Sequence, residues 1–440
     1  MKIAGIIAEY NPFHNGHRYH IEETRRRTGC DAVVVVMSGD FLQRGIPAMT
    51  DRFLRAEAAL RCGADIVLEL PMYGATASAE DFASAGVRAL SGLSCDYISY
   101  GAESAEERDA LATHERDAFA TFPAEPDGKN PDAKNSDGET CSGGAGIFRK
   151  AAEFLLSEPP EFKQLLLSHV REGNSYAKSR ALALAEFAPE SAKLLEQPNN
   201  ILAVEYEKAI LATHASLRSC AVKRSDLGYH DTSVAAFCSA SAIRGAVADT
   251  GAIPAEAVPA ETVSLYSYLT ADSIVTADDF SDMLCAELSA HTPETLSRIY
   301  DLPGDLANRI LEQASRPFTW TSLAESVKCK AFTRSRIDRA LCHTLLHITT
   351  ADADVFKNAE TLPYLRVLGM RSDSSPLLSE LQRTSGIPLI VRLSDDVRAL
   401  SRESRRLLAA ELRASELYAQ IYFRRTGLVR EDVRRRLLTV

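Results

Sequence analysis

The first hundred residues alternate between short apolar stretches and amphipathic helical stretches. Strand-like apolar stretches occupy residues 3–7, 32–37, 65–70 and 97–100. Helical periodicity fills the intervals, at residues 15–27, 50–62 and 79–93. Apolar strands that are joined by helices are typical of a parallel sheet covered on both faces. The chain is therefore predicted to begin with an α/β domain of the doubly wound kind.

The chain has 440 residues, which is too long for one ordinary hydrophobic core. We predict a Rossmann-like parallel-sheet domain at residues 1–250, followed by a mainly α-helical domain at residues 251–440. A small α/β piece is expected within the second domain, at 364–367 and 389–391. Residues 123–146 are rich in Pro, Gly, Asp and Asn and carry no large apolar side chain. They are predicted to form a disordered loop insertion.

Composition excludes several classes of protein. No apolar run approaches the roughly 18–20 residues that span a membrane, and the apolar start is too short for a signal peptide. A cytoplasmic protein without a membrane anchor is expected. Nine dispersed cysteines without a C-x-x-C pair argue against a disulfide framework or a structural zinc site. The net charge of −10 argues against nonspecific coating of nucleic acid but allows a local basic face. No stable protein partner is inferred.

The first predicted strand runs directly into the sequence E-Y-N-P-F-H-N-G-H at residues 9–17. Open α/β sheets bind ligands at this carboxyl edge, and the N-terminus of the following helix favours anions. Gly16 allows close approach of a phosphate, to which His14 and His17 can both donate hydrogen bonds. A metal pair continued by His20 and a purely structural role are the alternatives. Because no carboxylate or cysteine cluster completes a metal site, none is predicted.

A second motif, C-S-A-S-A-I-R at residues 238–244, follows a late predicted strand at 220–223 and starts a helix. The planar guanidinium fork of Arg244 suits phosphate oxygens. Taken alone, S-x-S-x-x-R is typical of a helix N-cap. At opposite ends of one α/β domain, the two motifs together indicate a nucleotide site.

Both motifs resemble those of the nucleotidyltransferase superfamily, H-x-G-H and I-S-S-T-x-I-R. The resemblance implies that His14 and His17 stabilise charge at the α-phosphate during in-line displacement, without a covalent enzyme intermediate. A preorganised donor of this kind is worth ~3–4 kcal/mol of transition-state stabilisation. It also implies that Ser239, Ser241 and Arg244 hold the β- and γ-phosphates.

Several longer stretches resemble the bacterial tRNA(Met) cytidine acetate ligase family. They are GIIAEYNPFHNGH at 5–17, VMSGDFLQRGIPA at 36–48, YGAE at 100–103, PNNILAVEY at 198–206, VKRSDLGYHD at 222–231 and SASAIR at 239–244. The resemblance implies a ligase that converts acetate and ATP, with Mg²⁺, to acetyl-adenylate. The acetyl group would then pass to N4 of the wobble cytidine of elongator tRNA(Met). A small-molecule adenylyltransferase on the same scaffold and a noncatalytic tRNA-binding protein are the alternatives.

The resemblance also implies a set of ATP-binding residues. They are Ile7, Ala8, Glu9, Tyr10, Asn11, Pro12, Phe13, His14, Asn15, Gly16, His17, His20, Gly101, Asn199, Arg224, Ser239, Ser241 and Arg244. Three have a plainer alternative: a turn glycine at Gly101, an N-cap at Asn199 and a surface ion pair at Arg224. Gln43 and Arg44 are expected to wall the pocket, where Gln43 would hydrogen-bond acetate and Arg44 would neutralise a carboxylate or a phosphate.

A basic run near the junction of two predicted helices is a candidate tRNA contact. Its members are Lys328, Lys330, Arg334 and Arg336, with Phe332 among them to stack a base. A solvated helix face is the alternative.

Two more arginines and one acid follow the second predicted strand. Arg52 and Arg55 are expected to lie on a helix surface, as partners of Glu57 and its neighbours. Asp40 stands where the family resemblance leads us to expect Asn, which would add negative charge near the pocket.

Overall fold

A computed structural model describes residues 1–105, 145–224, 238–430, 432 and 435–440. Within these ranges, eight strands form one sheet. The strands are β1 (Ile3–Ala8), β2 (Ala32–Ser38), β3 (Ile66–Leu70), β4 (Tyr97–Ala102), β5 (Arg218–Lys223), β6 (Leu365–Met370), β7 (Leu389–Ile390) and β8 (Leu438–Thr439).

Helices cover both faces of the sheet and make up most of the second half. They are α1 (Asn15–Thr28), α2 (Arg52–Arg61), α3 (Met72–Ala75), α4 (Ala79–Gly92), α5 (Gly146–Ser157), α6 (Pro160–Arg171), α7 (Tyr176–Phe187), α8 (Pro189–Leu194), α9 (Pro198–Thr213), α10 (Ala240–Thr250), α11 (Ala260–Tyr266), α12 (Ser281–Ser289), α13 (Pro293–Leu296), α14 (Gly304–Gln313), α15 (Trp320–Val327), α16 (Arg334–Leu345), α17 (Thr350–Asn358), α18 (Ser375–Thr384), α19 (Leu393–Asp396) and α20 (Arg402–Thr426). In the part of the chain described, no helix has the length and apolar character needed to cross a bilayer.

The order of strands is β5-β4-β1-β2-β3-β6-β7, and β8 pairs with β6. The five strands from β5 to β3 are parallel, whereas β6 runs antiparallel to β3. This arrangement confirms the predicted fold class, a Rossmann-like parallel sheet followed by a mainly helical region. The predicted small α/β piece corresponds to β6 and β7, which extend the same sheet. The domain boundary at residue 250 stays a prediction.

Close packing of α4 against β1 fixes the centre of the sheet. A Cβ on Gly5 would lie 2.3 Å from Leu90, and a Cβ on Gly86 would lie 2.3 Å from Ile7. All seven residues of β2 are buried, as expected for a strand covered on both faces. Because the central strands are parallel, the loops that follow β1, β2, β4 and β5 gather at one carboxyl edge.

Most of the predicted insertion at 123–146 lies outside the described residues. Only its last two residues are described, and α5 begins at Gly146.

A cluster of charged side chains fills the carboxyl edge of β2 and β3. We call it the buried ionic cluster; its members are Asp40, Asp51, Arg52, Glu69, Arg366, Arg430 and Asp432. Arg52 donates to Asp40 (3.0 Å) and Glu69 (2.8 Å), and Arg430 donates to Asp40 at 2.7 Å. The side chains of Asp40, Arg52 and Arg430 are at most 2% exposed.

This cluster corrects two expectations. Arg52 does not lie on a helix surface, because its partners are buried acids rather than Glu57. Asp40 brings no uncompensated charge to the pocket. Burial alone would raise its pKa, but Arg430 and Arg52 hold the pKa of Asp40 below its usual range.

Candidate active site

The two histidines of H-x-G-H lie where β1 ends and α1 begins. His14 is the N-cap of α1, and its Nδ1 accepts a hydrogen bond from the backbone N–H of Gly16 (3.1 Å). His17 Nδ1 in turn accepts from the backbone N–H of His14 (3.2 Å), which closes a reciprocal capping box. The two rings stack with their centroids 3.7 Å apart. Because both Nδ1 atoms accept, each neutral ring carries its proton on Nε2 and can donate from there.

Burial keeps these histidines neutral. It lowers the pKa of His14 to about 3, helped by the positive charges of Arg224 and Arg244. Burial also lowers the pKa of His17 well below the usual value, with His14 and Arg224 contributing. The pKa of His20 falls to about 4, again through burial first and Arg224 second. At neutral pH the site therefore presents neutral N–H donors, while its positive charge resides on the arginines.

The structure gives a second reason for glycine at position 16, besides the close approach of a phosphate that the sequence suggested. A Cβ at this position would lie 2.9 Å from Cε1 and 3.1 Å from Nδ1 of His14. His14 is 3% exposed and stacked on His17, so its ring has little room to move. Gly16 is thus required by the placement of His14 itself.

The second motif packs against the first. Ser239 is the N-cap of α10 and accepts from the backbone N–H of Ala242 (3.1 Å). Arg244 donates to the backbone carbonyl of Asn11 (2.6 Å) and to Ser241 Oγ (2.9 Å). The structure thus brings the two motifs together, as expected from their sequence positions, and the N-cap role of Ser239 exists alongside any phosphate role.

Two aromatic residues support the histidines from the core side. Tyr10 and Phe13 are buried, and their ring centroids lie 4.7 and 5.5 Å from that of His17. Both belong to the same hydrophobic cluster as Ile243 of the second motif. Packing of this kind holds the loop in one conformation.

The other members of the predicted ATP set surround this loop. Ile7–Ala8 form the half-buried end of β1. The amide of Asn15 donates to the carbonyl of Glu256 (2.8 Å). His20 Nε2 lies 3.0 Å from Ser99 Oγ, which ties α1 to β4. The last contact gives His20 a structural role, and its contact with ATP stays a prediction.

Gly101, Asn199 and Arg224 lie at the carboxyl edge of β4 and β5. Gly101 is inside β4, and a Cβ there would meet the Arg224 side chain only at an ordinary 3.4 Å. Arg224 follows β5, is half-buried, and makes no ion pair with any residue in the described ranges. The Asn199 amide donates to Glu103 Oε1 (2.6 Å).

The plainer alternatives for two of these residues are wrong. Gly101 is a strand residue and not a turn glycine. Asn199 is not an N-cap, because Gln197 holds that position and Pro198 begins α9.

The loop after β2 forms the opposite side of the site. The backbone N–H of Gln43 donates to Glu9 Oε1 (2.8 Å), so this loop is tied to the end of β1. The Gln43 amide donates to the carbonyl of Ala77 (3.0 Å), and Arg44 is exposed. Their contact with acetate stays a prediction.

Arg55 is a site-forming residue that the sequence did not reveal. It is 0% exposed and donates to the carbonyl oxygens of Glu9 (2.6 Å), Ser38 (3.1 Å) and Gly39. One guanidinium thus joins the ends of β1 and β2 beneath the pocket. The predicted surface position of Arg55 is wrong. Its spacing from Glu57 gave no signal for this role, because the partners are backbone carbonyls of other segments.

The predicted tRNA-binding run is largely engaged within the protein. Arg334 pairs with Asp338 (2.7 Å) and Glu325 (2.6 Å). Lys328 lies 3.6 Å from Glu325, Arg336 lies 3.4 Å from Asp301, and Lys330 donates to the carbonyl of Glu172 at 3.1 Å. Phe332 is 8% exposed and belongs to the hydrophobic core. Its expected role in stacking a base is therefore wrong.

The geometry is that of a nucleotidyltransferase site, and sequence comparison agrees. The profile of the HIGH Nucleotidyl Transferase family matches residues 1–122 and 141–431, so the chain belongs to that family. The tRNA(Met) cytidine acetate ligase of Acetivibrio thermocellus is 32% identical, over 97% of this chain and 98% of the relative. The enzyme of the same name from Thermoanaerobacter sp. is 33% identical over 96% of each chain. The chain is thus a member of the tRNA(Met) cytidine acetate ligase family of enzymes.

Solved structures show the same fold. The apo crystal structure of Thermotoga maritima TmcAL superposes with a TM-score of 0.83 at 24% identity, and all of both chains is covered. A second structure of that protein, bound with alpha-thio ATP, gives a TM-score of 0.81 at 23% identity, again over all of both chains.

Proposed function

We propose that this enzyme activates acetate as acetyl-adenylate and transfers the acetyl group to N4 of the wobble cytidine of elongator tRNA(Met). The names of the curated relatives support the substrate class. The observation that carries the proposal is the pair of stacked, neutral histidines at the N-terminus of α1, whose Nδ1 atoms both accept backbone hydrogen bonds and thereby leave Nε2 as the donor of each ring. This pair presents donors to an α-phosphate without serving as a nucleophile.

In the first step, an acetate oxygen attacks the α-phosphorus of ATP, and the bond to the β-phosphate oxygen breaks. His14 and His17 donate to the non-bridging oxygens on which negative charge grows. Arg224 and Arg244 supply the positive charge that attracts the triphosphate, since both already act electrostatically on His14. Pyrophosphate leaves, and the displacement needs no covalent enzyme intermediate.

In the second step, the cytidine amine attacks the acetyl carbonyl, AMP leaves, and the amine loses a proton. The developing oxyanion and the leaving phosphate oxygen lie within reach of the donors that served the first step. Cys238, which precedes the second motif, packs in the hydrophobic cluster of Tyr10 and Phe13, and it is given no role because neither step needs a covalent enzyme intermediate.

Mg²⁺ is proposed to arrive with ATP and to neutralise the leaving pyrophosphate. It is usually bound through substrate phosphates rather than by an all-protein cage. Among the described residues, no group of three His, Cys, Asp or Glu side chains could hold a metal ion. No residue of the chain is therefore assigned to Mg²⁺. A cytoplasmic location follows in this proposal from the substrates, ATP and tRNA.

The direct test is transfer of radiolabelled acetate to an elongator tRNA(Met) transcript, with Mg²⁺ and with or without ATP. ATP-dependent label on cytidine is expected, and it should be lost in a His17→Ala variant. His291→Ala is the matched control, because this histidine is partly exposed just after α12, outside the site. Pyrophosphate release with another acceptor, and no label on tRNA, would favour an adenylyltransferase instead. Failure to bind ATP would favour a noncatalytic protein.

A further inference from the structure

Helix α20 carries a row of arginines along its exposed face. Arg402, Arg413 and Arg424 are all exposed and follow one another at intervals of 11 residues. Eleven residues make about three helical turns, so the side chains stand within ~20° of one line, ~16 Å apart. We call these three residues the arginine row. It extends for ~33 Å along the helix.

Within the described ranges, no acidic side chain pairs with the arginine row. None of its three guanidinium groups makes an ion pair or a side-chain hydrogen bond with a residue in the described ranges, whereas the neighbouring Arg406 pairs with Asp352 at 2.5 Å. The exposed charged residues of α20 are five arginines and two glutamates, in a chain whose net charge is −10. A local excess of unpaired arginine on an acidic protein is typical of a surface that meets a polyanion.

The opposite face of α20 fixes where the row lies. Glu411 accepts from the backbone N–H of Met72 (3.2 Å), which lies just after β3. Tyr418 donates to the carbonyl of Ala48 (2.9 Å), in the loop after β2. That loop reaches the H-x-G-H segment, where Met49 donates to Asn11 Oδ1 (2.8 Å). Helix α20 therefore runs along the same carboxyl edge as the active site.

An exposed aromatic ring stands at the end of the row nearest this loop. Phe423 is 48% exposed and precedes Arg424. An aromatic side chain beside arginine is a common arrangement for contacting unpaired nucleotides, since bases stack on both. The run at 328–336 lacks this combination, because Phe332 is buried and its arginines are paired.

We propose that the arginine row of α20, ending at Phe423, is the surface that binds the phosphates of the tRNA substrate. This rests on the proposed function, in which the acyl acceptor is a tRNA. Arginine contacts to phosphate fix the register of the RNA and supply most of its affinity, while the pocket selects the cytidine. The row thus replaces the run at 328–336 as the main RNA contact.

The test is binding of elongator tRNA(Met) transcript to Arg402→Gln/Arg413→Gln/Arg424→Gln, measured at several salt concentrations. Loss of three phosphate contacts should weaken the Kd at least about tenfold and reduce the slope of log K against log salt by about 2 to 3. The matched control is Arg171→Gln/Arg298→Gln/Arg316→Gln, which removes the same charge from arginines elsewhere that are also exposed and make no ion pair with a described residue. Lysine at the three row positions should restore most of the affinity.

The outcomes separate this inference from the proposed function. Acetate-dependent ATP–pyrophosphate exchange without tRNA should be equal in wild type and in the row variant, since the pocket is intact. If wild type binds tRNA and the row variant binds it equally well, the row is not the RNA surface and the proposed function stands. An equal loss in the control variant would attribute the effect to net charge and overturn the inference. If wild type exchanges pyrophosphate but binds no tRNA, both fail.

Discussion

Replacing Gly16 by alanine should separate catalysis from folding. The added Cβ would lie 2.9 Å from Cε1 of His14, closer than atoms of this kind approach in proteins. The His14 ring cannot simply recede, because it is buried and stacked on His17 at 3.7 Å. The substitution should therefore displace the His14 Nε2 donor from the place that we propose for it, beside the α-phosphate.

The effects of this substitution on the free energy of unfolding and on kcat should differ in size. Alanine within a helix is favoured over glycine by ~1 kcal/mol, which offsets part of the steric cost in α1. The free energy of unfolding should therefore change by less than about 1 kcal/mol. A displaced donor at a developing charge costs about 10²–10³ in kcat, or ~3–4 kcal/mol. Catalysis should thus suffer far more than stability.

The assays are acetate-dependent ATP–pyrophosphate exchange and urea unfolding of the same samples. Gly245→Ala is the matched control, since it places a methyl group next to Arg244 where no atom lies within 4 Å. It should leave exchange unchanged. If Gly16→Ala keeps an exchange rate within about threefold of wild type, a displaced His14 donor is refuted, since its loss should cost about 10²-fold.

Three further predictions concern stability, pH and nucleotide affinity. Arg52→Met removes the hydrogen bond to the buried Glu69 carboxylate and one of the two arginine partners of Asp40, and it should lower the free energy of unfolding by about 3–5 kcal/mol in urea titrations; a loss under about 1 kcal/mol would contradict this. The folded pKa of His14 is about 3, against 6.5 unfolded, so the unfolded chain binds the extra proton between these values and stability falls on acidification. His14→Gln should make that fall shallower by at most about 1.4 kcal/mol per pH unit, and superimposable profiles would disprove it. Gly101→Ala should raise the KM for ATP, because the new Cβ would meet a nucleotide bound at the end of β4, and should leave the unfolding midpoint unchanged, because its nearest protein atoms, on Arg224 and Val222, lie at 3.4–4.0 Å; an unchanged KM would exclude close nucleotide approach.

Local patterns predicted the parts of the molecule that are built from neighbouring residues. The strands β1 to β5 and the helix start at Asn15 could be located because apolar runs and the H-x-G-H loop follow directly in sequence. The contact between the two motifs also followed from topology, since parallel strands deliver both to one edge. None of these features depends on a side-chain partner that is distant in sequence.

The predictions that were wrong concern residues whose partners are distant in sequence. Arg52 and Arg55 looked like surface residues because an acid lies close by in sequence, yet Arg52 pairs with residues up to 380 positions away. Phe332 was expected to stack a base because cationic residues flank it in sequence, but helices that pack around it bury its ring. No periodicity encodes such long-range partners, and only the folded chain reveals them.

The buried ionic cluster has a consequence for biosynthesis. Arg52 and Asp432 are separated by 380 residues, so at ribosomal rates of ~5–20 residues per second the arginine emerges on the order of 20 to 80 s before its partner. Asp40 is likewise synthesised 390 residues before its partner Arg430. During that interval the nascent sheet holds charges that cannot be buried without cost, and its carboxyl edge stays hydrated. The buried ionic cluster can therefore be completed only after residues 430–432 have left the ribosome, long after the strands β2 and β3 that it joins have been made.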